Sequence, residues 1–436
     1  MMAGIAAPAL SGQRYAVYGL ARSGLSALRF LARSGASAVG WDENAAQRDS
    51  ARAAFPDLAL QDFATLDLGG VDGLIVSPGV PLNRHPLAAR ARAAGCPILG
   101  DMELWQQART DLPPHRLVGI TGTNGKSTTT ALLHHLLETA GLAARLGGNI
   151  GLPVLDADPL PGGGIYVFEL SSFQIDLAQT LACDVAIWTN LTPDHLDRYD
   201  GMAGYAASKA RIFAMQKPGG QAVIATDDDW TRAAAAALPA GLALTRVSAA
   251  DVRAADQARW PSLQGPHNAQ NVACAVAAAR LLGAGDDAIE RGLASFPGLA
   301  HRMEIVGTVA GVRYVNDSKA TNPTSVAPAL QAFAGIHWIL GGQAKTAELD
   351  ACLPHLKGVK AAYVIGEAAP LFETILAPHL PVTSAGTLDI AVTRAAAAAV
   401  PGDTVLLSPA CASFDQFRDY EARGAAFRAL VGTLAA

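Results

Sequence analysis

The first third of the chain alternates apolar runs with segments of helical periodicity. Residues 14–20 (RYAVYGL) and 37–42 (SAVGWD) are apolar and rich in strand-forming residues. Residues 23–35 (SGLSALRFLARSG) have helical spacing and end in glycine, a common helix C-cap. A third apolar run, residues 71–81 (VDGLIVSPGVP), leads into a proline–glycine turn. This strand–helix–strand alternation predicts a parallel sheet with helices on its faces.

The alternation continues toward the C-terminus with two breaks. Polar, proline-bearing segments interrupt it at residues 110–116 (TDLPPHR) and 295–303 (SFPGLAHRM). We therefore predict an α/β protein of three domains, comprising residues 1–110, 111–302 and 303–436. The runs expected to form buried strands in the second and third domains are LVGIT, GIYVFELS, VAIWTNL, QAVIATDD, HWILGG, AAYVIGE and DTVLLSPA.

Composition and charge exclude several classes of protein. Half of the 436 residues are hydrophobic, which is ample for several cores, and the net charge is −5. No basic run carries interleaved aromatic residues, so nucleic acid is not an expected partner. No apolar run reaches the roughly 18 residues that a membrane helix needs, and a membrane partner is not expected either.

The cysteines and the N-terminus indicate a compartment. Five cysteines are scattered singly, the number is odd and no C-x-x-C occurs, so neither a disulfide framework nor a zinc site is expected. The N-terminal stretch is short and lacks a basic start, which predicts that no signal peptide is present. We expect a cytoplasmic monomer.

Residues 120–133 (ITGTNGKSTTTALL) are typical of a phosphate-binding loop between a strand and a helix. Backbone N–H groups at the start of the helix attract an anion. Gly122 and Gly125 let the backbone approach the phosphate, and Lys126 can reach the outer phosphates. Ile120 stands where the usual pattern has its first glycine, so the match is a variant. Ser127 or Thr128 can offer a hydroxyl group to Mg²⁺.

A second glycine-bearing turn is a weaker motif. Residues 18–24 (YGLARSG) partly match a dinucleotide fingerprint, with Asp42 near the end of the next strand, but Ala21 replaces the middle glycine. We expect an α/β domain that binds some phosphorylated ligand at this turn. A nicotinamide-dependent oxidoreductase stays a rival interpretation.

Ionisable side chains follow two further strands. Glu169 ends an apolar run, where a carboxylate can hold Mg²⁺ or merely cap a helix. Asp194, His195 and Asp197 share one loop, which is either a metal or acid–base site or a solvated polar loop. Lys209, taken alone, is typical of an exposed helix lysine.

Polar groups also mark later segments. A helix that begins after Pro266 carries His267, Asn268 and Asn271 in its first turns, where they can bind a base or cap the helix. In the last third, three polar loops follow apolar runs: NDSKATNPTS, GGQAKTAE and SPACASFDQF. Together they indicate a second substrate site, although each alone is compatible with an ordinary loop.

These segments together resemble the Mur ligase family of bacterial cell-wall synthesis. TGTNGKSTTT is shared across the family, and the resemblance runs in order from about residue 14 to the C-terminus. It implies a Rossmann-like N-terminal domain for a UDP sugar, a central P-loop ATPase with a mostly parallel sheet, and a Rossmann-like C-terminal domain for an amino acid. The motifs that resemble the D-glutamate-adding branch are ELSSFQID, NLTPDHLDRY, HRMEIV, NDSKATNP and SPACASFDQF.

The resemblance also implies an activity and its substrates. ATP would phosphorylate the L-alanine carboxylate of UDP-N-acetylmuramoyl-L-alanine, and D-glutamate would attack the resulting acyl phosphate. Such a ligase serves cytoplasmic peptidoglycan precursor synthesis, and through it cell shape and cell division. The implied cofactors are ATP and Mg²⁺ at two sites.

Roles for individual residues follow from the same resemblance. The implied catalytic residues are Lys126, His195, Lys209 and Lys319. The implied metal ligands are Ser127, Glu169, His195 and a carbamylated Lys209. ATP would contact Gly122, Thr123, Asn124, Gly125, Lys126, Ser127, Thr128, Asn271, Arg302 and Asp317. The UDP substrate would contact Arg22, Ser23, Ser77, Pro78, Gly79, Asn149 and Ser171, and D-glutamate would contact Asp194, Thr321, Lys345, Ser413 and Tyr420.

Two further alternatives stay open at this point. A ligase of the same architecture that adds another amino acid, or a folylpolyglutamate synthetase, shares the phosphate loop but is disfavoured by NDSKATNP. A nucleotide-dependent binding protein that no longer ligates is disfavoured by the complete set of Glu169, His195, Lys209 and Asp317. The uracil contacts are also open, because WDENA at residues 41–45 departs from the family pattern.

Overall fold

A computed structural model describes residues 4–434; the ends of the predicted first and last domains, residues 1–3 and 435–436, lie outside the described residues. The chain forms two compact units. The first contains the residues up to 253 together with 269–293, and the second contains 254–268 together with the residues from 294 onward. Three mostly parallel sheets flanked by helices confirm the α/β prediction. The predicted domain boundaries stay predictions.

The first sheet is wholly parallel, with strand order β3-β2-β1-β4-β5. Its elements are β1 (Arg14–Tyr18), α1 (Arg22–Arg33), β2 (Ser37–Trp41), α2 (Ala45–Ala54), β3 (Ala59–Leu60), β4 (Gly73–Val76), α3 (Pro86–Ala93), β5 (Ile98–Leu99) and α4 (Asp101–Ala108). The strand order reverses between β1 and β4. Loops that follow these two strands therefore diverge and leave a crevice in which a ligand can bind.

The central sheet is also parallel, with order β11-β10-β9-β6-β8-β7, and it reverses between β6 and β9. Its strands are β6 (His115–Thr121), β7 (Ala144–Gly148), β8 (Gly164–Glu169), β9 (Val185–Trp188), β10 (Gln221–Ala225) and β11 (Ala243–Val247). The helices that accompany or follow it are α5 (Lys126–Thr139), α6 (Ser172–Asp176), α7 (Gly201–Ala214), α8 (Asp229–Ala236), α9 (Ala254–Gln257), α10 (Pro266–Leu281) and α11 (Asp286–Ser295).

The first and central sheets share one apolar core. Trp105 of α4 is fully buried, and its ring lies edge-on to Tyr166 and Phe168 of β8, with centroids 5.2 and 4.9 Å apart. Aromatic contacts of this geometry add to the free energy gained by burial. The polar break at residues 110–116 therefore does not separate two independent cores, which explains why both sheets belong to one unit.

The third sheet lies in the second unit, with order β12-β13-β17-β14-β15-β16. Its elements are β12 (Glu304–Val309), β13 (Val312–Asn316), α12 (Pro323–Ala332), β14 (Ile336–Gly341), β15 (Val359–Ile365), α13 (Ala369–Leu376), β16 (Val382–Gly386), α14 (Leu388–Ala398), β17 (Thr404–Leu407) and α15 (Tyr420–Leu434). The edge strand β12 is antiparallel to β13, and the remaining pairs are parallel. The order reverses between β14 and β17. Among residues 4–434, no helix is long and apolar enough to cross a membrane.

Candidate active site

The loop between β6 and α5 has the geometry of an anion-binding loop. Thr121 ends β6, and Gly125 is the N-cap of α5, which begins at Lys126. Gly122 and Gly125 have φ angles of 147° and 79°, a conformation that glycine adopts most readily. The Nζ of Lys126 donates to the carbonyl oxygen of Thr123 at 2.8 Å, so the lysine lies across the loop. Because the first N–H groups of a helix lack intrahelical acceptors, this loop can bind phosphate.

Side chains from the neighbouring elements hold this loop in place. The amide oxygen of Asn190, which follows β9, accepts a hydrogen bond from the Asn124 N–H at 2.8 Å. Thr189 Oγ1 donates to the Asn124 carbonyl at 2.8 Å. A Cβ atom at Gly125 would collide with the Asn271 side chain of α10. Asn271, which the resemblance assigns to ATP, thus lies directly against the loop, and Gly125 is required for space as well as for its backbone angle.

Glu169 lies at the end of β8 beside the phosphate loop, since it pairs with Ile120 of β6. Its side chain is 2% exposed. Oε1 accepts from the Nδ2 of Asn149 at 2.8 Å, whereas Oε2 is buried and has no hydrogen-bond partner among residues 4–434. A buried carboxylate oxygen without a partner is costly unless a cation compensates it. Two residues further on, Ser171 caps α6 in a capping box with Gln174.

The structure corrects the expectation that Lys209 is an exposed helix lysine. Its side chain is 1% exposed, and Nζ donates to the carbonyl oxygen of Gly122 at 2.7 Å. Nζ also lies 4.6 Å from the centre of the Tyr205 ring. Burial lowers the pKa of the Lys209 amine well below its usual value, and the nearby charge of Lys126 lowers it further. These surroundings favour the neutral amine, which is nucleophilic.

Asp194 and His195 lie in an exposed loop after β9. His195 has a φ angle of 54°, and its Nε2 is 3.3 Å from Asp194 Oδ2. The imidazole ring lies against Phe173 and Tyr205, with centroids 5.0 and 6.3 Å apart. Partial burial lowers the pKa of His195, whereas Asp194 raises it. A neutral imidazole so placed can bind a metal ion.

Five of the seven residues expected at the UDP sugar follow β1 and β4, between which the strand order of the first sheet reverses. The other two, Asn149 and Ser171, follow β7 and β8 of the central sheet. Gly19, with φ 90°, turns the chain after β1, and its carbonyl oxygen accepts from Ser77 Oγ at 2.9 Å. Helix α1 begins at Arg22, directly after this turn. A Cβ atom on Gly19 would lie 2.7 Å from the Ser77 side chain, so the two loops touch. The predicted residues that follow these two strands are Arg22, Ser23, Ser77, Pro78 and Gly79.

In the second unit, the loops after β13, β14 and β17 collect the other predicted residues. The Nζ of Lys345 is 3.4 Å from Thr321 Oγ1. The Nζ of Lys319 lies 3.8 Å from the centre of the Tyr420 ring, a cation–π contact. Ser413 is buried in the loop after β17. Lys319, Thr321, Lys345 and Ser413 therefore share one edge of the third sheet, as the strand-end pattern predicted. Tyr420, at the start of α15, lies against Lys319 at this edge.

Asp317 is buried at the same edge. Its Oδ2 accepts from Ser408 Oγ at 2.7 Å, and its Oδ1 accepts from the Met303 N–H at 3.1 Å. Burial raises the pKa of Asp317 to about 7, although the positive charge of Arg302 acts in the opposite direction. Strongly shifted carboxyl groups are typical of functional sites.

Sequence reasoning missed Arg423 of α15, which organises these loops. Its guanidinium group is buried and donates to the Ser318 carbonyl at 2.9 Å and to Ser318 Oγ at 3.0 Å. It also donates to the carbonyls of Cys411 at 3.0 Å and Ala412 at 3.3 Å. Burial lowers the pKa of Arg423 to about 10. Nothing in the helical pattern around Arg423 distinguishes it from an exposed arginine.

The predicted metal ligands can be tested against this geometry. Among residues 4–434, no group of three or more His, Cys, Asp or Glu side chains could hold a metal ion by itself. The predicted set contains two such residues, Glu169 and His195, and the buried Oε2 of Glu169 fits a cation. Ser127 is buried in the first turn of α5. A protonated Lys209 cannot bind a cation, whereas a carbamate formed on its amine is an anion and can.

Comparisons with known proteins cover nearly all of the chain. Three protein-family models match the chain. They are the Mur ligase MurD-like N-terminal domain at residues 13–100, the Mur ligase middle domain at 120–279, and the Mur ligase glutamate ligase domain at 301–411. A Sphingopyxis alaskensis protein named UDP-N-acetylmuramoylalanine–D-glutamate ligase is 57% identical, over 99% of this chain and 100% of its own. A protein of the same name from Novosphingobium aromaticivorans is 58% identical, over 99% of this chain and 97% of its own.

A solved structure shows the same fold. The UDP-N-acetylmuramate–alanine ligase MurC from Thermotoga maritima superposes with a TM-score of 0.59 at 16% identity, covering 97% of this chain and 99% of that one. The sheets and the phosphate loop thus define a three-sheet α/β protein built to bind a phosphorylated ligand. The chain belongs to the Mur ligase family, as the motifs predicted.

Proposed function

We propose that this chain joins D-glutamate to UDP-N-acetylmuramoyl-L-alanine at the expense of ATP. One observation supports this most directly: the phosphate loop, the partnerless Oε2 of Glu169 and the buried amine of Lys209 meet at the carboxyl end of β6. The printed names of the Sphingopyxis and Novosphingobium relatives supply the two organic substrates. The reaction would serve peptidoglycan precursor synthesis in the cytoplasm, with the protein acting as a monomer.

Electrostatics is the main obstacle to this reaction. The L-alanine carboxylate must approach the γ-phosphate of ATP, and both are anions, so positive charge must gather between them. Lys126 and the N-terminus of α5 supply part of that charge. The γ-phosphoryl group passes to the carboxylate oxygen and ADP leaves. The deprotonated amine of D-glutamate then attacks the acyl carbon, and phosphate departs from the tetrahedral intermediate.

Glu169, Ser127 and His195 would hold Mg²⁺ in two sites, with Lys209 as a carbamate. When bound, Mg²⁺ neutralises phosphate charge. The chain's own contribution is orientation: Asn149 fixes one oxygen of Glu169 and leaves the other buried and available. Asp194 stands beside the His195 imidazole and maintains its orientation.

The surroundings of Lys209 support the carbamylation that the family resemblance implies. The neutral amine would attack CO₂, forming an N–C bond and releasing one proton, and the product is an anion. The positive charge of Lys126 would stabilise that anion. In ¹³C-bicarbonate, a carbamate resonance should appear in the wild type and be absent from Lys209→Met. A resonance that persists in Lys209→Met would remove this part of the proposal.

The other substrates would bind at the remaining strand ends. The crevice of the first sheet would hold the uridine diphosphate through Arg22, Ser23 and residues 77–79, with Asn149 and Ser171 toward the muramoyl end. Thr321, Lys345, Ser413, Tyr420 and Asp194 would hold D-glutamate, and Lys319 would lie near the transferred phosphate. Asn271, Arg302 and Asp317 would contact ATP. The domains would be those predicted, 1–110, 111–302 and 303–436.

A substrate panel tests the proposal. Purified protein is given ATP, Mg²⁺ and UDP-N-acetylmuramoyl-L-alanine, and phosphate release is followed as single amino acids are added. D-glutamate should give product and stoichiometric phosphate, whereas L-glutamate and diaminopimelate should give neither. Turnover with diaminopimelate in place of D-glutamate would assign the chain to another branch of the family. Phosphate release without any ligated product would refute the ligase proposal.

A further inference from the structure

We propose that Arg198 is a positioning residue: it fixes the spacing between the loop expected to hold the UDP end of the substrate and the loop that carries His195. The inference rests on the proposed function, because both loops take their roles from it. It concerns a residue that no motif assignment above gives a role.

Arg198 connects the two loops through its side chain. Its Nη2 donates to the carbonyl oxygen of Val80 at 2.7 Å, and its Nη1 donates to that of Gly79 at 3.3 Å. The guanidinium carbon lies 4.1 Å from the centre of the Phe173 ring. A planar guanidinium group can donate to two neighbouring acceptors and stack on a ring at the same time, which a lysine cannot do. We call Arg198, Gly79, Val80 and Phe173 the Arg198 bracket.

The bracket is continuous with the His195 imidazole. The Arg198 N–H donates to the His195 carbonyl at 2.9 Å, closing a turn over residues 195–198. Phe173, under the guanidinium group, lies 5.0 Å from the His195 ring. His195 itself has a left-handed φ of 54°, which a non-glycine residue maintains only where its surroundings impose it. The contacts within the Arg198 bracket are among those that hold His195 in this conformation.

A weaker connection runs parallel to the bracket. Arg84 Nη2 pairs with Asp197 Oδ2 at 2.8 Å, but both side chains are about 60% exposed, at 62% and 59%. Exposed ion pairs contribute little to stability, because solvent screens their charges. The Arg84–Asp197 pair therefore joins the same two loops but constrains them less than Arg198 does. It provides a matched control.

The reaction explains why this spacing matters. The substrate is anchored by its diphosphate at one end and reacts through its carboxylate at the other. A misplacement of about 1 Å between anchor and reacting group can cost about 100-fold in rate. Arg198 acts on the distance between those two ends, because it ties residues 79–80 to the turn that carries His195.

Removal of Arg198 should leave the fold intact. Its side chain lines an existing cavity of about 300 Å³, together with Leu82, Phe173 and Tyr199. Truncation therefore enlarges a space that water can enter and opens no packed core. The cost of a new apolar cavity should not apply here.

The experiment compares Arg198→Ala and Arg198→Lys with Arg84→Ala in the full-length protein. Steady-state kinetics give kcat and KM for each substrate, and calorimetry gives the affinities for UDP alone and for UDP-N-acetylmuramoyl-L-alanine. UDP meets only the first loop, whereas the whole substrate spans both. For Arg198→Ala we expect kcat/KM for the sugar nucleotide to fall about 10- to 100-fold. The KM for ATP and the affinity for UDP should stay within about twofold.

The controls separate positioning from folding. Arg198→Lys should be intermediate, because one hydrogen bond can be kept and the paired bonds and stacking cannot. Arg84→Ala should behave as wild type. Wild-type kcat/KM in Arg198→Ala would overturn the inference, and so would equal losses for UDP, ATP and the whole substrate. Failure of the wild type to ligate D-glutamate would instead refute the proposed function, and the calorimetric comparison needs no turnover.

Discussion

Asp317→Asn should stabilise the second unit at neutral pH while impairing the enzyme. The carboxyl group is buried, and burial raises its pKa from an ordinary 3.8 to about 7. Asparagine has nearly the same shape. Its amide oxygen can accept from the Met303 N–H and its amide N–H can donate to Ser408 Oγ, so both polar contacts of Asp317 are retained.

The magnitude follows from proton linkage. Between pH 3.8 and about 7 the folded state binds a proton that the unfolded state has lost, so the free energy of unfolding falls as the pH rises. The fall is about 1.4 kcal/mol per pH unit inside this window, and the whole separation corresponds to about 4 kcal/mol. This contribution is fully present below pH 3.8 and is lost above about pH 7. Asparagine has no such dependence, so its advantage over Asp317 should grow by about 3 kcal/mol between pH 5 and pH 8.

Hydrogen exchange provides a local assay for this effect. The Asp317 N–H donates to the Leu407 carbonyl at 2.7 Å, so amides of β13 and β17 report on the same site. Protection of these amides should increase in Asp317→Asn at pH 8, after correction for intrinsic exchange rates. Asp350→Asn, the same chemical change at an exposed position of the same unit, should have no effect. Asp317→Asn should also lose ligase activity, because Asp317 is a proposed ATP contact.

The reasoning would be refuted by a protection difference that does not depend on pH between 5 and 8. It would also be refuted if Asp317→Asn were destabilised at pH 8. Either result would mean that the carboxylate is not desolvated in the folded protein.

Further predictions concern the first unit. Glu169→Gln keeps the oxygen that accepts from Asn149 but replaces the partnerless oxygen with an NH₂ group. The Mg²⁺ concentration for half-maximal activity should therefore rise at least tenfold, which corresponds to about 1.4 kcal/mol of binding free energy. An unchanged Mg²⁺ titration would contradict this. Gly125 has a φ of 79°, and a Cβ atom at this position would collide with the Asn271 side chain. In Gly125→Ala, backbone strain of about 1–2 kcal/mol should therefore raise the KM for ATP about tenfold or more. ATP kinetics like those of the wild type would show that the loop has room to adjust.

Local sequence patterns were sufficient to predict the fold and the polar loops at the strand ends. Apolar runs, turn residues and the glycines at 122 and 125 act over a few residues, so the sheets and the phosphate loop could be predicted from them. Two-residue strands such as β3 and β5 could not, because so short a run carries no periodicity. The antiparallel strand β12 also escaped prediction, since partly exposed residues interrupt its apolar pattern.

The burial of Lys209 and Arg423 could not be predicted from local sequence patterns. Lys209 and Arg423 occupy helix positions that look exposed, and their acceptors are backbone carbonyls far along the chain, at Gly122 and Ser318. Such contacts exist only once the helices are docked, so neither spacing nor composition indicates them. For Lys209, only the resemblance to a family drew attention to it. For Arg423, no signal in the sequence did.

The most direct test of the central claim follows one oxygen atom. The account holds that the phosphate loop activates the L-alanine carboxylate as an acyl phosphate. UDP-N-acetylmuramoyl-L-alanine labelled with ¹⁸O in that carboxylate is converted with ATP and D-glutamate, and the released phosphate is analysed by mass spectrometry. The account predicts that each phosphate carries one ¹⁸O atom from the carboxylate. Unlabelled phosphate accompanying full formation of the amide would contradict it.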